Sequence, residues 1–284
     1  MCYHRQPARP AIRAARIASP GTRVNAVNTQ EFSQQCVVVS GAGRGIGAAV
    51  ARQLLDQGAR VVALDLDITP LQSWQSSYPD ALYLETVDVA DFNAVAQAVD
   101  NGTRQLGPID KLVCAAGVLQ MGAITDLSPD QWARTFACNT NGVFNLCHIV
   151  AKQMLTRRKG AIVNISSNAA TAPRMAMGAY AASKAAVTQL SRCLGLELAH
   201  AGIRVNVVSP GSTDTPMQQA MWAAGSSAQT VIDGSGEHYR LGIPLKKIAM
   251  PDEIADAVLF LLSDRASHIT LHDLRVDGGA TLDQ

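Results

Sequence analysis

The sequence predicts a single α/β domain built on a doubly wound parallel sheet with helices on both faces. Short apolar runs alternate with helical patterns along most of the chain, and a glycine-rich turn joins the first run to the first helix. The 284 residues, 48% of them hydrophobic, can bury a large core, and no shift in composition marks a second domain. Strands separated by helices imply right-handed crossovers and therefore a parallel sheet.

The first element is a buried strand, Cys36–Ser40, which leads through the glycine-rich turn into a helical pattern at residues 48–57. Glycines let the backbone turn tightly and approach a pyrophosphate, which is bound by the amide groups at the start of the helix. A plain strand-to-helix turn needs only one glycine, so this spacing favours a nucleotide site. The turn residues assigned to a cofactor are Gly41, Gly43, Arg44, Gly45, Ile46 and Gly47.

The second strand, at residues 60–65, ends in a carboxylate about twenty residues after the glycines. Asp65 can accept hydrogen bonds from the ribose hydroxyls of the adenosine, and its charge would repel a 2′-phosphate. This favours NAD over NADP. Arg44 is the opposing signal, because a cation beside the glycine turn could contact that phosphate.

The alternation continues to the end of the chain and completes a Rossmann-type dinucleotide-binding fold. A third strand at 82–87 reaches Asp88 and Val89, where a carboxylate could bind the adenine amino group. The later predicted elements are a helix at 91–106, a strand at 111–115, a long helix at 131–155, a strand at 162–166, a helix at 179–200, a strand at 204–208, a helix at 254–263 and a last strand at 274–276.

Three side chains indicate catalysis. Tyr180 and Lys184 are four residues apart on the helix predicted at 179–200, so they share a face, and an ammonium there favours the ionised phenol. Ser167 follows the strand predicted at 162–166 and should emerge at its carboxyl end, where open α/β sheets bind ligands. Together these residues predict a proton acceptor beside a nucleotide site.

Composition excludes several classes of partner. The formal net charge of +1 indicates neither nucleic acid nor an anionic membrane. Apolar runs of strand length predict no membrane span. The six cysteines form no regular framework and predict reduced thiols in a cytoplasmic protein. His268 and His272 fall in a loop entering a strand, so we expect no metal site.

The first 34 residues differ from the rest. Five arginines precede the first acidic residue, Glu31, and prolines interrupt any long helix. We expect residues 1–34 to be a disordered extension or an upstream mis-called start, with an organelle transit peptide as the alternative. The catalytic domain is then predicted at 35–284.

These motifs resemble those of the short-chain dehydrogenases/reductases, over essentially all of residues 35–282. The resemblance implies that Tyr180 is the general acid/base, that Lys184 binds the nicotinamide ribose and lowers the tyrosine pKa, and that Ser167 holds the substrate oxygen. It also implies that Asn139 orders a proton-relay water and that Thr215 contacts the nicotinamide amide. The remaining cofactor residues implied by it are Ala115, Ala116, Gly117, Pro210, Gly211 and Thr213.

The same resemblance implies a homotetramer and a lid near residues 217–250. One position departs from the family pattern. Cys114 stands where the family usually has asparagine, which puts a side-chain contact that stabilises the sheet in doubt.

A narrower resemblance lies in segments 117–123, 209–215, 241–245 and 266–271. They are similar to members of the family that use NAD to oxidise a cyclic diol acid to a catechol in siderophore biosynthesis. This implies a small-molecule substrate with a carboxylate, and contacts with other enzymes of that pathway. We expect Arg174 to bind the carboxylate, with Arg240, Lys246 and Lys247 as rivals, and Met121 to border the substrate.

Other activities stay open at this point. The chain could act on a dihydro-hydroxyanthranilate, a 3-oxoacyl thioester or a sugar alcohol, or serve as a non-catalytic nucleotide-binding scaffold. A scaffold needs none of the three catalytic side chains, and Asp65 opposes the NADP preference of a general reductase.

Overall fold

Seven parallel strands form one sheet in the computed structural model, which describes residues 30–223 and 227–282. The strands lie in the order β3-β2-β1-β4-β5-β6-β7. Their bounds are β1 Cys36–Ser40, β2 Arg60–Asp65, β3 Leu82–Thr86, β4 Ile109–Cys114, β5 Gly160–Ile165, β6 Ile203–Pro210 and β7 Asp273–Val276. The predicted doubly wound sheet is confirmed.

Helices cover both faces of this sheet. They are α1 Gly45–Asp56, α2 Phe92–Leu106, α3 Pro129–Phe136, α4 Gly142–Arg157, α5 Gly178–Ala199, α6 Pro216–Ala223, α7 Ala228–Asp233 and α8 Pro251–Leu262. Helices α1 and α8 pack on one face, and α2, α4 and α5 pack on the other. Because both faces are covered, the central strands are continuous apolar runs, and β1 is buried along its whole length.

The strand order reverses between β1 and β4. Ser40 pairs in register with Cys114 at the carboxyl ends of these two strands. Chains leave the sheet in opposite directions there, which opens a crevice between the connecting loops. The fold therefore places a binding site beside the glycine-rich turn that follows Ser40.

The long helix predicted at 131–155 is two helices joined by a π-helical turn, Ala137–Asn141. Helix α4 begins at Gly142, which packs against Val89: a Cβ on Gly142 would lie 2.6 Å from Val89 Cγ2. This contact between distant segments fixes where α4 starts. The extra residue of the π turn is accommodated beside Asn139, and such turns are frequent at functional sites.

The folded domain begins before residue 35, so the predicted boundary is wrong. Phe32 is 0% exposed and its amide donates to the Gln57 carbonyl at 3.2 Å. Glu31 forms an ion pair with Arg265 at 2.9 Å. Phe32 therefore belongs to the hydrophobic core on the α1 and α8 face of the sheet, whereas Ser33 and Gln34 beside it are exposed. Residues 1–29 of the predicted extension lie outside the described residues.

The departure at Cys114 is compensated by its neighbour in the sheet. Cys114 pairs in register with Asn164 of β5. The Asn164 amide lies 3.6 Å from Cys147 Sγ and donates to Ser191 Oγ at 2.9 Å. Cys147 also hydrogen-bonds Cys114, whose pKa is raised by burial. Polar contact between the sheet and helices α4 and α5 is thus retained, although Cys114 has no amide of its own.

Candidate active site

A cleft of about 440 Å³ lies at the carboxyl ends of the strands. Its walls come from the glycine-rich turn, the ends of β4, β5 and β6, and the beginnings of α5 and α6. The predicted residues that line it are Gly41, Arg44, Gly45, Ile46, Gly47, Ala115, Ala116, Gly117, Ser167, Arg174, Tyr180, Lys184, Pro210, Gly211, Thr213 and Thr215. The sheet therefore gathers most of the predicted site in one place.

The glycine-rich turn has the shape that the sequence predicts. Gly41 and Gly45 have φ values of 67° and 57°, which side chains rarely adopt. A Cβ on Gly47 would overlap the Gly41 carbonyl oxygen. Helix α1 begins at Gly45, and the preceding Arg44 provides no side-chain cap. Gly45, Ile46 and Gly47 of the first turn of α1 line the cleft, where their amides could bind a pyrophosphate.

Asp65 is fixed by two backbone amides. Its Oδ2 accepts from Gly43 N at 2.8 Å and its Oδ1 from Asp67 N at 3.0 Å. Arg44 Nη2 pairs with Asp67 Oδ2 at 2.9 Å, and both side chains are largely exposed. Arg44, which could have contacted a 2′-phosphate, therefore already forms an ion pair with Asp67.

The predicted catalytic side chains converge. Lys184 is 4% exposed, and its Nζ donates to the Ile165 carbonyl at 2.9 Å. Ser166 Oγ donates to the Lys184 carbonyl at 3.0 Å, which ties α5 to the end of β5. The Ser167 hydroxyl hydrogen-bonds the Tyr180 phenol and also accepts from Ala169 N at 3.1 Å. A hydroxyl, a phenol and an ammonium are thus held in one cleft.

The electrostatics differ from the expectation for Tyr180. In the protein by itself burial raises the pKa of Tyr180, and the hydrogen bond from Ser167 opposes this. Lys184 Nζ lies 5.8 Å from the tyrosine ring centroid and does not reverse the shift. Burial also lowers the pKa of Lys184 to about 8. Burial of the phenol thus opposes the predicted lowering of the Tyr180 pKa by Lys184, and that lowering stays a prediction.

Asn139 lies behind the cleft and is fully buried. Its Oδ1 accepts from Val118 N at 2.8 Å, and its Nδ2 donates to the Val118 carbonyl and to Ser183 Oγ, both at 3.0 Å. The side chain therefore fixes the loop after β4 against α5. Its predicted role with a relay water stays a prediction.

Several predicted contacts lie outside the cleft. Asp88 Oδ1 accepts from Ala90 N at 2.9 Å, and Val89 is buried against Gly142. Met121 is 41% exposed and is not among the residues that line the cleft. Their predicted contacts with the adenine and the substrate stay predictions.

The cations weighed as carboxylate anchors separate into two groups. Arg174 and Arg240 line the cleft. Lys246 and Lys247 do not, and they pair with Asp233 and Glu253 on the protein surface. The structure thus leaves two guanidinium groups beside the catalytic residues.

Two residues of the short helix α6, Gln218 and Met221, belong to the site although no sequence motif indicates them. They line the cleft together with Met177 and Met217. Gln218 is 9% exposed, and its Nε2 is enclosed without a partner among the described residues. Thr215 followed by Pro216 is a helix-start signal that could have located α6, since Thr215 Oγ1 accepts from Gln218 N at 3.3 Å. Thioethers and an unsatisfied amide suit a ligand that is partly apolar.

Nothing in the described ranges offers a metal site, because no three His, Cys, Asp or Glu side chains lie close enough to hold an ion. Over the same residues no helix is long and apolar enough to cross a membrane. The five described cysteines are free thiols.

A parallel sheet with this glycine-rich turn and a Ser–Tyr–Lys cluster defines a nicotinamide-dependent oxidoreductase. Residues 41–281 match the family described as enoyl-(acyl carrier protein) reductase. A solved structure described as a short chain dehydrogenase/reductase family protein has a TM-score of 0.77 and 33% identity, covering 88% of this chain and 98% of its own. The chain belongs to the short-chain dehydrogenases/reductases.

Two relatives are more similar in sequence. The 2,3-dihydro-2,3-dihydroxybenzoate dehydrogenase of Bacillus subtilis (strain 168) is 49% identical over 90% of this chain and 99% of its own length. The enzyme of the same name from Escherichia coli (strain K12) is 49% identical over 89% of this chain and 99% of its own. The alignments with these two relatives therefore cover almost their entire length.

Proposed function

We propose that this chain oxidises 2,3-dihydro-2,3-dihydroxybenzoate to 2,3-dihydroxybenzoate with NAD. The observation that carries the proposal is the convergence of Ser167, Tyr180 and Lys184 on a cleft that Arg174 and Arg240 also line. The names of the two bacterial relatives support it, since both act on this diol acid. An alcohol, a ring and a carboxylate each find a matching feature in the cleft.

The residues divide the chemistry among them. Ser167 hydrogen-bonds the reacting hydroxyl, and Tyr180 as phenolate accepts its proton. A nicotinamide bound in this cleft would supply the hydride acceptor for the carbon that bears this hydroxyl. The resulting ketone in the cyclohexadiene ring tautomerises to a catechol, and this aromatisation drives the reaction toward oxidation.

Lys184 contributes through its charge and its fixed position. With a pKa of about 8 it is still mostly an ammonium at neutral pH, by about ten to one. Burial makes that charge effective over a short range, because little water screens it. Because burial raises the pKa of Tyr180, the positive charge of an oxidised nicotinamide would add to that of Lys184 in favouring the phenolate.

The charged groups at the end of β2, beside the glycine-rich turn, support a preference for NAD. The Asp65 carboxylate is held by the Gly43 and Asp67 amides where a 2′-phosphate would meet it. Arg44 is paired with Asp67 and would have to leave that partner to bind a phosphate. Both features disfavour NADP by charge.

Substrate contacts follow from the walls of the cleft. We assign Arg174 to the carboxylate and the methionines of α6, with Met177, to the ring face. Met121 stays a candidate for the outer edge of the substrate. A guanidinium can bind a carboxylate through two parallel hydrogen bonds and so fix which hydroxyl meets Tyr180.

We also propose a homotetramer. Exposed apolar side chains on α4 and α5 support the proposal, among them Phe144 and Leu196. Light scattering on the purified protein tests the subunit number, and a monomer at micromolar concentration would contradict it. The proposed contact with other enzymes of a siderophore pathway rests on the substrate alone.

The proposed reaction is tested by following NADH absorbance with the dihydrodiol acid and NAD. A parallel assay supplies a 3-oxoacyl thioester with NADPH. Turnover of the diol acid with little activity in the parallel assay supports the proposal, and the reverse result contradicts it.

A further inference from the structure

Arg240 occupies a rigid position on the wall of the cleft. It lies between α7 and α8, where its backbone exchanges two hydrogen bonds of 2.8 Å with Ser235. Gly234, with φ 87°, makes the tight turn beneath it: a Cβ there would collide with the Arg240 carbonyl. Arg240 Nη2 donates to Ser212 Oγ at 3.1 Å, just beyond the end of β6. The backbone of Arg240 is therefore held by Ser235, and its guanidinium is held by Ser212.

Arg240 differs from the two nearby lysines in its charged contacts. Over residues 30–223 and 227–282, no carboxylate forms an ion pair with it. Lys246 and Lys247, from the same segment, each have an acidic partner. Burial lowers the pKa of Arg240, and the nearby Arg174 guanidinium lowers it further. A half-buried cation beside a like charge is unfavourable until an anion binds between them.

We propose that Arg240 is a carboxylate-binding residue that acts together with Arg174, which lines the same cleft. This inference rests on the proposed function and extends it by naming a second, specificity-determining cation. Arg174 belongs to the segment between β5 and α5, and Arg240 to the segment before α8. An acid held between these two segments has its orientation fixed relative to Tyr180. The pair also selects against neutral diols.

Two other roles would give different results. Arg240 could contact the cofactor pyrophosphate, in which case its loss would weaken NADH binding. It could instead only support the loop through Ser212, in which case acidic and neutral substrates would suffer equally. Comparing ligands with and without the carboxylate distinguishes the proposal from both alternatives.

The experiment compares Arg240→Gln, Arg240→Lys and the control Lys246→Gln, which removes a cation of the same segment outside the cleft. Each variant is assayed with the dihydrodiol acid and with the neutral dihydrodiol that lacks the carboxylate. Arg240→Gln should raise KM for the acid by about tenfold to a hundredfold. It should change kcat/KM for the neutral diol and the Kd for NADH by less than about twofold. Arg240→Lys should fall between the wild type and the glutamine variant, because it keeps the charge and loses the paired hydrogen bonds.

Calorimetry with 2,3-dihydroxybenzoate and with catechol, in the presence of NADH, gives a second readout that needs no turnover. The wild type should prefer the acid, and Arg240→Gln should lose most of that preference while Lys246→Gln keeps it. Equal losses for both ligands, or weaker NADH binding, would overturn the role of Arg240. A wild type that neither oxidises the diol acid nor binds its product would instead contradict the proposed function.

Discussion

Lys184 on α5 donates a hydrogen bond from its ammonium to the carbonyl oxygen of Ile165, the last residue of β5, at 2.9 Å. This bond holds the cation at the carboxyl end of the sheet, beside Ser167 and behind Tyr180. A flexible lysine becomes a fixed positive charge, since its ammonium is buried and directed by the strand. Both predicted roles of Lys184, toward the phenol and toward a ribose, depend on that placement.

Replacing Lys184 with alanine should damage turnover and cofactor affinity together. The variant loses the charge that favours the phenolate and the donor assigned to the ribose. We expect kcat to fall by about a hundredfold and the Kd for NADH to rise by about tenfold, measured by steady-state kinetics and fluorescence titration. A selective loss of only one would show that the double role is wrong.

The cofactor preference should follow the charge of Asp65. The wild type should use NAD about a hundredfold more efficiently than NADP in kcat/KM, or about 2.7 kcal/mol. Asp65→Asn should narrow this ratio, whereas Arg44→Gln, which removes a cation already paired with Asp67, should change it little. Equal efficiencies in the wild type would refute the assignment of Asp65.

Phe32→Ala should lower the free energy of unfolding by about 3–5 kcal/mol, the usual cost of removing a fully buried phenylalanine. Phe92, which is 41% exposed at the start of α2, gives the matched control: Phe92→Ala should cost about 1 kcal/mol. Urea titration measures both. Similar costs for the two variants would mean that the segment before β1 is not part of the core.

Lys111 predicts a pH dependence of stability. It is buried, its Nζ donates to the Leu262 carbonyl at 2.7 Å, and burial lowers its pKa to about 8. Between about pH 8 and pH 10.5, the unfolded chain holds a proton at this lysine that the folded chain has lost, so this group makes stability rise with pH. Wild type should therefore gain stability relative to Lys111→Met across that window.

The comparison with Lys111→Met is needed because other groups act in the opposite sense. Burial raises the pKa of Cys36 to about 11 and that of Tyr83 to about 12. Such acids lose their protons first in the unfolded chain, so they make stability fall as the pH rises. The difference between the two proteins cancels these contributions. A constant difference from pH 7 to about pH 10 would refute the lowered pKa of Lys111.

The strands and the main helices could be predicted from sequence, because each follows a local period of apolar residues. The glycine turn and the positions of Ser167, Tyr180 and Lys184 were also predictable, because they follow from sequence spacing and from where the strands end. The division of the helix at 131–155 could not be predicted in this way. It occurs where Gly142 contacts Val89, which is far away in sequence.

The charged contacts and the burial of residues in the segment between α7 and α8 could not be predicted from the sequence either. Arg240, Lys246 and Lys247 are all cations of one segment, and the sequence does not distinguish them. The fold shows that each lysine forms an ion pair with a carboxylate at the surface, whereas Arg240 lines the cleft. The burial of the Tyr180 phenol was hidden for a related reason. Spacing places the ammonium near the phenol but does not reveal how completely the phenol is desolvated.

The most direct test of the proposed oxidation is NADH formation from 2,3-dihydro-2,3-dihydroxybenzoate by the wild type and by Tyr180→Phe. We predict that the wild type forms NADH and 2,3-dihydroxybenzoate in equal amounts. Tyr180→Phe should lower kcat by about a hundredfold or more with the Kd for NADH unchanged, because only the proton acceptor is lost. No NADH from this substrate in the wild type, or near-normal turnover in the variant, would contradict the account.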